Sequence, residues 1–493
     1  MNPSPEFGSV VIASNRGPVS FTREQDGAIT ASRGSGGVVT ALTGALQVGG
    51  TWIAAAMSDA DREMTELADG RIPADDGAAY SLRYLNVSPE DFDGYYNYVS
   101  NGILWFAHHY LWDNVHTPVW DAGTYEAWER YERVNLAFAE ALAQEAERLP
   151  QPTAFLVQDY HLSLVPKMLR EMKPDALISH FSHTPIAGPT YARAMPTQMR
   201  RQLLAGMLGA DVLGFHSEAW AENFLMSARY LPGARVELGR YRAHVEGHEV
   251  LARVHPLSVD AAAIKETAAL PEVAAMRKEF EEWRGDARLI LRVDRFELTK
   301  NILRGFTAYE TFLKRYPEWK GKVKFLALLS PSRTELPEYR TYAEECLAEA
   351  ARVNEKLGTA DWEPITVRVK DDYQAAVAAY ALYDVLMVNP VIDGLNLVSM
   401  EGPIANRRHG VLLLSRNAGA YFRLGRYALG INPHDVEEQA EMIQVALALP
   451  EEQKILRAKG LSRLIRANPP SRWVAHQLRD LDKVRIRRAW FRA

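Results

Sequence analysis

The sequence predicts an α/β protein of two doubly wound, Rossmann-like domains facing each other across a cleft. Three observations carry that expectation. Short β-branched runs alternate with amphipathic helical stretches along the chain, the pattern of parallel sheets wound with helices. The strand-like runs fall into two sets on either side of His255-Pro256-Leu257. At 493 residues the chain is long enough for two or three well-buried cores. The expected units are 1–256 and 257–474, with a C-terminal helix over 475–493 packing back on the first.

In the first set, Val10–Ser14 reads as the opening strand, with Asn15-Arg16-Gly17 at its C-terminal end. Ala154–Val157 is followed by Gln158-Asp159-Tyr160-His161 and a helix through Met172; Asp211–Phe215 is followed by a helix from near Glu218. Open α/β sheets place ligands beyond the carboxyl ends of their strands, which makes these loops the candidate binding segments. In the second set, Leu289–Val293 leads into a helix over Asn301–Tyr316, whose Ile302, Phe306, Tyr309 and Leu313 share one face. Val323–Leu329, Ile365–Val369, Asp384–Asn389 and Gly410–Ser415 follow as strands. Asp435, with Glu438 three residues on, predicts a capping box for a helix over Val436–Leu449.

The stretch Asp393-Gly-Leu-Asn-Leu-Val-Ser-Met-Glu401 carries the most chemistry. A strand ending in Asp-Gly and opening a helix presents bare backbone N–H groups at a positive helix end, where a phosphate can sit. Glu401 falls one turn after Leu397, placed to accept two ribose hydroxyls. Arg295 and Lys300 stand at the start of another helix, where cations oppose the helix dipole. Two charges placed at that cost point to an anionic ligand such as a departing nucleoside diphosphate. Asp59-Ala-Asp61 has the form of a divalent-metal motif, but its polar surroundings read as loop or helix start. His108-His109 has no partner at ligand spacing and reads as structural.

Composition narrows the remaining classes. A formal net charge of −5 argues against a nucleic-acid binder, and the basic run from Lys483 to Arg488 reads as a solvated helix face. Cys346 is the single cysteine, so no internal disulfide or cysteine-based metal site forms. Its neighbours Glu344, Glu345 and Glu349 are expected to raise its thiol pKa. No apolar run is long enough to cross a bilayer, and the N-terminus lacks a signal-peptide layout. The cytoplasm is the expected compartment.

The ordered motifs resemble those of glycosyltransferase family 20, the trehalose-6-phosphate synthases of GT-B fold. The resemblance runs from about Val10 to beyond Leu449. It is carried by Ser14-Asn15-Arg16, Gly36-Gly37, Tyr95-Tyr96-Asn97, Ser100-Asn101, Leu104-Trp105, Asp159-Tyr160-His161-Leu162 and Leu213-Gly214-Phe215. Arg295 with Lys300, Pro331-Ser332-Arg333 and Asp393-Gly394 through Asn396-Leu397-Val398 to Glu401 complete it. It implies a donor site in the second domain, with a diphosphate on Arg295, Lys300 and the Leu397–Val398 backbone. Glu401 would take the ribose and Asp393 the hydroxyls of the transferred sugar, with Gly36, Gly37, Gly394 and Asn396 also on the donor. Glucose 6-phosphate would meet Arg16, Tyr96, Trp105 and, from across the cleft, Arg333, with Asp159 on its hydroxyls and His183 beside the anomeric centre. The implied catalytic set is Arg295, Lys300, His183 and Asp393.

The same resemblance implies front-face transfer with retention, without metal or cofactor. Its partners are a nucleoside diphosphate glucose and glucose 6-phosphate, with no nucleic acid, no membrane and room for a homo-oligomer. The chain departs from the family pattern at Gln158 (for His), Thr184 (for Ile), Glu297 (for Asp), Asn301 (for Gly) and Ser399-Met400 (for Ala-Lys). Lys300-Asn301 is shared with actinobacterial relatives that include cyclitol-coupling pseudo-glycosyltransferases, some of them guanosine-dependent, which tilts the donor toward GDP-glucose over UDP-glucose. The alternatives are such a pseudo-glycosyltransferase, joining an NDP-cyclitol to an aminocyclitol phosphate, and a catalytically silent sugar-phosphate sensor.

Overall fold

A computed structural model describes residues 7–24, 26–33, 37–46, 49–67, 70–73 and 80–492. Two compact units divide the chain. One comprises the segment up to Leu257 together with the segment from Pro470 onward, and the other is Ser258–Pro469.

Among the described residues the first unit holds seven mutually parallel strands. Their spatial order is Tyr80–Leu85, Gly50–Ala55, Ser9–Ala13, Thr153–Gln158, Leu177–Phe181, Val212–Phe215, His248–Val254. By chain position this is third, second, first, then fourth onward. Such an order reverses direction between the first and fourth strands and opens a crevice beyond their carboxyl ends. Ser9–Ala13 and Thr153–Gln158 are buried at every position, as expected for strands covered on both faces.

The second unit repeats the scheme with six parallel strands: Ile365–Val369, Val323–Ser330, Arg288–Arg295, Val385–Val388, Val411–Ser415 and Leu429–Ile431. Its crevice lies between Arg288–Arg295 and Val385–Val388. The helix Ile302–Arg315 turns Ile302, Phe306, Tyr309 and Leu313 into a core with Phe325, Val385 and Val411. Ends differ from the expected ones by a residue or two, and Arg288–Arg295 runs on to include Arg295 itself.

Two expectations are corrected and two are refined. The segment after Asp159 is a short 3-10 turn, Tyr160–Leu162, before the helix Val165–Met172 begins. Only half the capping box forms: Asp435 accepts the Glu438 N–H at 2.9 Å, but the Glu438 carboxylate serves Arg416 and the Asn432 N–H. The terminal helix opens at Pro470, ahead of the expected 475. Within the first unit it sets Trp473 edge-on against Phe181 and Asp480 on His255 at 2.8 Å. Burial, more than the neighbouring glutamates, pushes the Cys346 thiol up to about 12. Among the described residues no helix is long and apolar enough to cross a membrane.

Candidate active site

In the second unit, Arg295 ends the first strand and Lys300 closes the 3-10 turn Leu298–Lys300 that follows it. Asn301, next in the chain, has φ 60°. That left-handed conformation suits asparagine or glycine, which accounts for the departure from the family's glycine. The Asn301 side-chain amide donates to the carbonyls of Asn389 at 2.9 Å and Pro433 at 2.7 Å, fixing the turn. Lys300 Nζ is thereby brought to 2.6 Å from Asp393 Oδ2. Burial works against its charge, but Asp393 and Asp294 more than offset this and hold the ammonium above the ordinary lysine value.

Asp393 lies in the loop beyond Val385–Val388 rather than at the strand end itself. Gly419 N–H donates to Asp393 O, and a Cβ at 419 would stand 1.9 Å from Gly394 O, so this crossing requires glycine. Asn396, at φ 83°, donates to Asp393 Oδ2 at 3.2 Å and accepts the Ser399 N–H at 3.0 Å. The helix Val398–Ala405 starts there, with Leu397 as its N-cap. Glu401, one turn in, accepts the Tyr380 hydroxyl at 3.1 Å; burial raises its carboxyl pKa, partly offset by that hydrogen bond. Arg295, Lys300, Tyr380, Val398 and Glu401 line one cavity of about 200 Å³ with Asp371 at its rim. The donor-side residues of the second unit are therefore gathered at the crevice; Gly36 lies outside the described residues, and Gly37 opens the helix Gly37–Ala45 of the first unit.

Arg333 also belongs to the second unit. Its guanidinium pairs with fully buried Glu297 and donates to Tyr339 Oη at 2.9 Å. Tyr339 in turn donates to Glu297 at 2.9 Å, so the glutamate that replaces the family's aspartate anchors Arg333.

In the first unit, Arg16 follows the first strand and donates to Tyr96 Oη at 3.2 Å. Beneath it, Tyr95 donates to Asn15 at 3.0 Å, and Trp52 to Ser14 Oγ at 2.7 Å. Tyr95 and Tyr96 sit in a π-helical stretch, Asp93–Leu104, which runs into the helix carrying Trp105; such segments are frequent at functional sites. Tyr96 stacks on His161 and Trp105 on His109. Beyond the fourth strand, Asp159 takes φ 71° and accepts the His183 N–H at 3.1 Å.

His183 belongs to a hydrogen-bond chain that the sequence did not disclose. Leu257 N–H donates to His216 Nδ1 at 3.3 Å, which leaves His216 Nε2–H to donate to His183 Nδ1 at 3.2 Å. His183 Nε2–H then donates to Gln158 Oε1 at 3.1 Å. Each ring is thus held as one neutral tautomer. His216 follows the strand Val212–Phe215, so the strand-end rule that singled out Arg16 pointed to it as well.

Burial pushes His108 and His183 down to about 4, and His180 to about 3 with help from His183. The unfolded chain takes up these protons near 6.5, whereas the folded rings refuse them until the pH is close to 4. Their contribution to stability is full above pH 6.5 and falls as the pH drops from there toward 4. Urea midpoints at about pH 7, 6 and 5 measure that decline; a flat profile would contradict neutral burial of the three rings.

The metal-like motifs are occupied by other work. Asp59 starts a helix and pairs with Arg62, while buried Asp61 accepts the N–H groups of Phe21, Met57 and Ser58. Asp91-Phe-Asp93 and Asp480-Leu-Asp482 share the spacing, but Asp91 holds Arg133 and Asp480 holds His255. His108 accepts the Ala187 N–H, and His109 turns Nδ1 to the Trp105 carbonyl. Among the described residues no group of three metal-ligating side chains occurs.

Paired Rossmann-ordered sheets with polar crevices at the carboxyl ends of the first and fourth strands define the GT-B class of glycosyltransferases. The model of Glycosyltransferase family 20 matches residues 8–483, and the chain belongs to that family. The chain is 32% identical over 479 residues to the trehalose-6-phosphate synthase of Mycobacterium avium, covering 94% of this chain and 93% of that protein. It is 31% identical over 483 residues to the validamine 7-phosphate valienyltransferase of Streptomyces hygroscopicus subsp. jinggangensis, covering 96% and 94%. It is also 31% identical to a bifunctional trehalose-6-phosphate synthase/phosphatase of Thermoproteus tenax, of whose length it spans 62%. Among solved structures, the E. coli protein bound with UDP-2-fluoro glucose aligns at TM-score 0.82 and 27% identity, covering 96% of this chain and 98% of that one. The UDP-forming synthase of Burkholderia xenovorans in complex with glucose-6-phosphate aligns at 0.80 and 26%, covering 96% and 99%.

Proposed function

We propose that the chain is a retaining, metal-independent synthase that moves glucose from a nucleoside diphosphate glucose to glucose 6-phosphate, giving α,α-trehalose 6-phosphate. The observation that carries this reading is the gathering of Arg295, Lys300 and Glu401 around one cavity at the crevice of the second unit. In the reaction, the bond from the anomeric carbon to the diphosphate oxygen breaks as the acceptor hydroxyl oxygen bonds to the same face. The hydroxyl proton passes to the leaving phosphate oxygen. The largest electrostatic demand is the charge growing on that diphosphate. Arg295, Lys300 and the first N–H groups of the helix Val398–Ala405 meet it. Glu401 takes the ribose hydroxyls and Asp393 the hydroxyls of the transferred glucose, with Gly394 and Asn396 also on the donor.

On the acceptor side, Arg16, Tyr96, Trp105 and Arg333 bind the phosphate and Asp159 the sugar hydroxyls. His183, held neutral between His216 and Gln158, stands in this reading beside the anomeric centre. Asp371 supports the guanosine donor over the uridine one. Its exposed carboxylate lines the same cavity as Glu401, and a carboxylate accepts two hydrogen bonds at once from the N1–H and N2–H groups of guanine, an edge that uracil lacks. Asp371→Asn is expected to cut the preference for GDP-glucose over UDP-glucose by about tenfold, the size of one charged hydrogen bond; an unchanged ratio of kcat/KM values removes Asp371 from base recognition.

The deciding experiment incubates the protein with glucose 6-phosphate and each of UDP-, GDP- and ADP-glucose, with and without EDTA, and identifies the disaccharide. Phosphorylated trehalose formed in EDTA supports the reading. The valienyltransferase relative, at 31% identity beside 32% for the Mycobacterium avium synthase, favours cyclitol coupling as the second reading. Turnover of NDP-valienol-type donors without turnover of glucose donors would select it.

A further inference from the structure

The second unit has a polar cavity of about 320 Å³ at the opposite end of its sheet, lined by Arg288, Asp384, Arg407, Arg408, Glu451 and Lys454, with His409 at its edge. Arg288 begins the first strand, Asp384 precedes Val385–Val388, and 407–410 precede Val411–Ser415. The cavity therefore lies beyond the amino ends of the strands, whereas Arg295 and Lys300 lie beyond the carboxyl ends. An eight-residue strand separates the two, roughly 23 Å at the usual rise per residue.

Its charges do not balance. Arg288 and Arg408 both pair with Asp384, at 2.9 and 3.3 Å, and the second Asp384 oxygen is taken by the Leu289 N–H. Glu451 pairs with His409 at 3.1 Å. Arg407 is exposed, with no carboxylate partner among the described residues. Lys454 meets only the Leu447 carbonyl, at 3.1 Å, and Arg408 Nε is buried without an acceptor. Four cations thus line a space that holds two carboxylates, with Arg284 close enough to be repelled by Arg408 and Arg288. Burial, helped by Arg288 and Arg408 and opposed by Asp384 and Glu451, pulls the Lys454 ammonium below its ordinary value. Structural pinning of the strand ends by Asp384 accounts for Arg288 and Arg408. It leaves Arg407, Lys454 and the Arg408 Nε donor unexplained.

We propose that this cavity binds a compact dianion of the phosphate class, inorganic phosphate or a phosphomonoester, at a second site remote from the catalytic crevice. Guanidinium groups match such an oxyanion with paired N–H donors, and the dianion neutralises the surplus charge. The proposal stands independently of the synthase reading, since it uses none of its residues.

The test is calorimetric titration of the full chain with inorganic phosphate against chloride at matched ionic strength, in an Arg295→Ala background that weakens anion binding at the crevice. Saturable binding in that background, weakened about tenfold or more by adding Arg407→Ala or Lys454→Gln, supports the site. No saturable binding, or binding unaltered by Arg407→Ala and Lys454→Gln, overturns it. Should Lys454→Gln fail to fold, the exposed-site variant Arg407→Ala decides by itself. Glucose 6-phosphate titrated in the Arg16→Ala/Arg295→Ala double variant separates the sources. Tighter binding than phosphate at a site sensitive to Arg407→Ala assigns a phosphomonoester, and equal or weaker binding assigns free phosphate.

Discussion

Arg295→Ala is expected to lower turnover by roughly a hundredfold or more, the usual cost of losing one preorganised charge contact to a transition state. The side chain ends its strand exposed and carries none of the core, so the variant should fold and unfold as the parent does. The loss should fall mainly on kcat, because the diphosphate charge grows as the bond to the anomeric carbon breaks. Arg295→Lys should recover part of the rate, because the charge returns without the planar fork of donors. Steady-state kinetics with saturating donor decide the matter. Near-normal kcat in Arg295→Ala would refute the role assigned to it.

Arg292→Ala should act on stability rather than on chemistry. The Arg292 guanidinium is fully buried and pairs with Asp294 at 2.9 Å, with the Lys300 carbonyl at 3.0 Å and with Asn389 Oδ1. Gly305 exists to admit it: a Cβ there would stand 2.7 Å from Arg292 Nη2. Burial already raises the Asp294 carboxyl despite the opposing charges of Arg292 and Lys300. Removing the arginine strands a buried carboxylate, and breaking a buried pair costs about 3–5 kcal/mol. Adding Asp294→Asn should restore part of that loss, since the stranded charge is then gone. Urea denaturation of the three proteins measures both effects; a loss below about 1 kcal/mol in Arg292→Ala would show the pair to be replaceable.

Local pattern made the strands and the ligand-bearing loops legible, because fully buried parallel strands read as short apolar runs ending in polar turns. Val323–Ser330 and Val411–Ser415 were readable for that reason, and the edge strand Ile365–Val369 by its β-branched residues. What pattern does not encode is pairing between distant residues. Lys300 to Asp393, Arg333 to Glu297 and His216 to His183 join positions that only the strand order brings together. The Rossmann order itself was legible as a class but not as a sequence of neighbours. Glu438 looked like a capping partner by spacing, yet Arg416, from another strand end, took its carboxylate. Charge pairing across the fold outweighed a local motif there.

Cys346 lies at full burial in the core of the second unit, on the helix Pro337–Leu357, and is the chain's single sulfhydryl. A disulfide-exchange dye can reach it only when that half of the molecule opens. The colour change after mixing with such a dye therefore times the opening of the second unit alone, with no label to introduce and no other sulfhydryl to remove. Nucleoside diphosphate that favours the closed core should slow the clock, giving a ligand assay that needs no turnover.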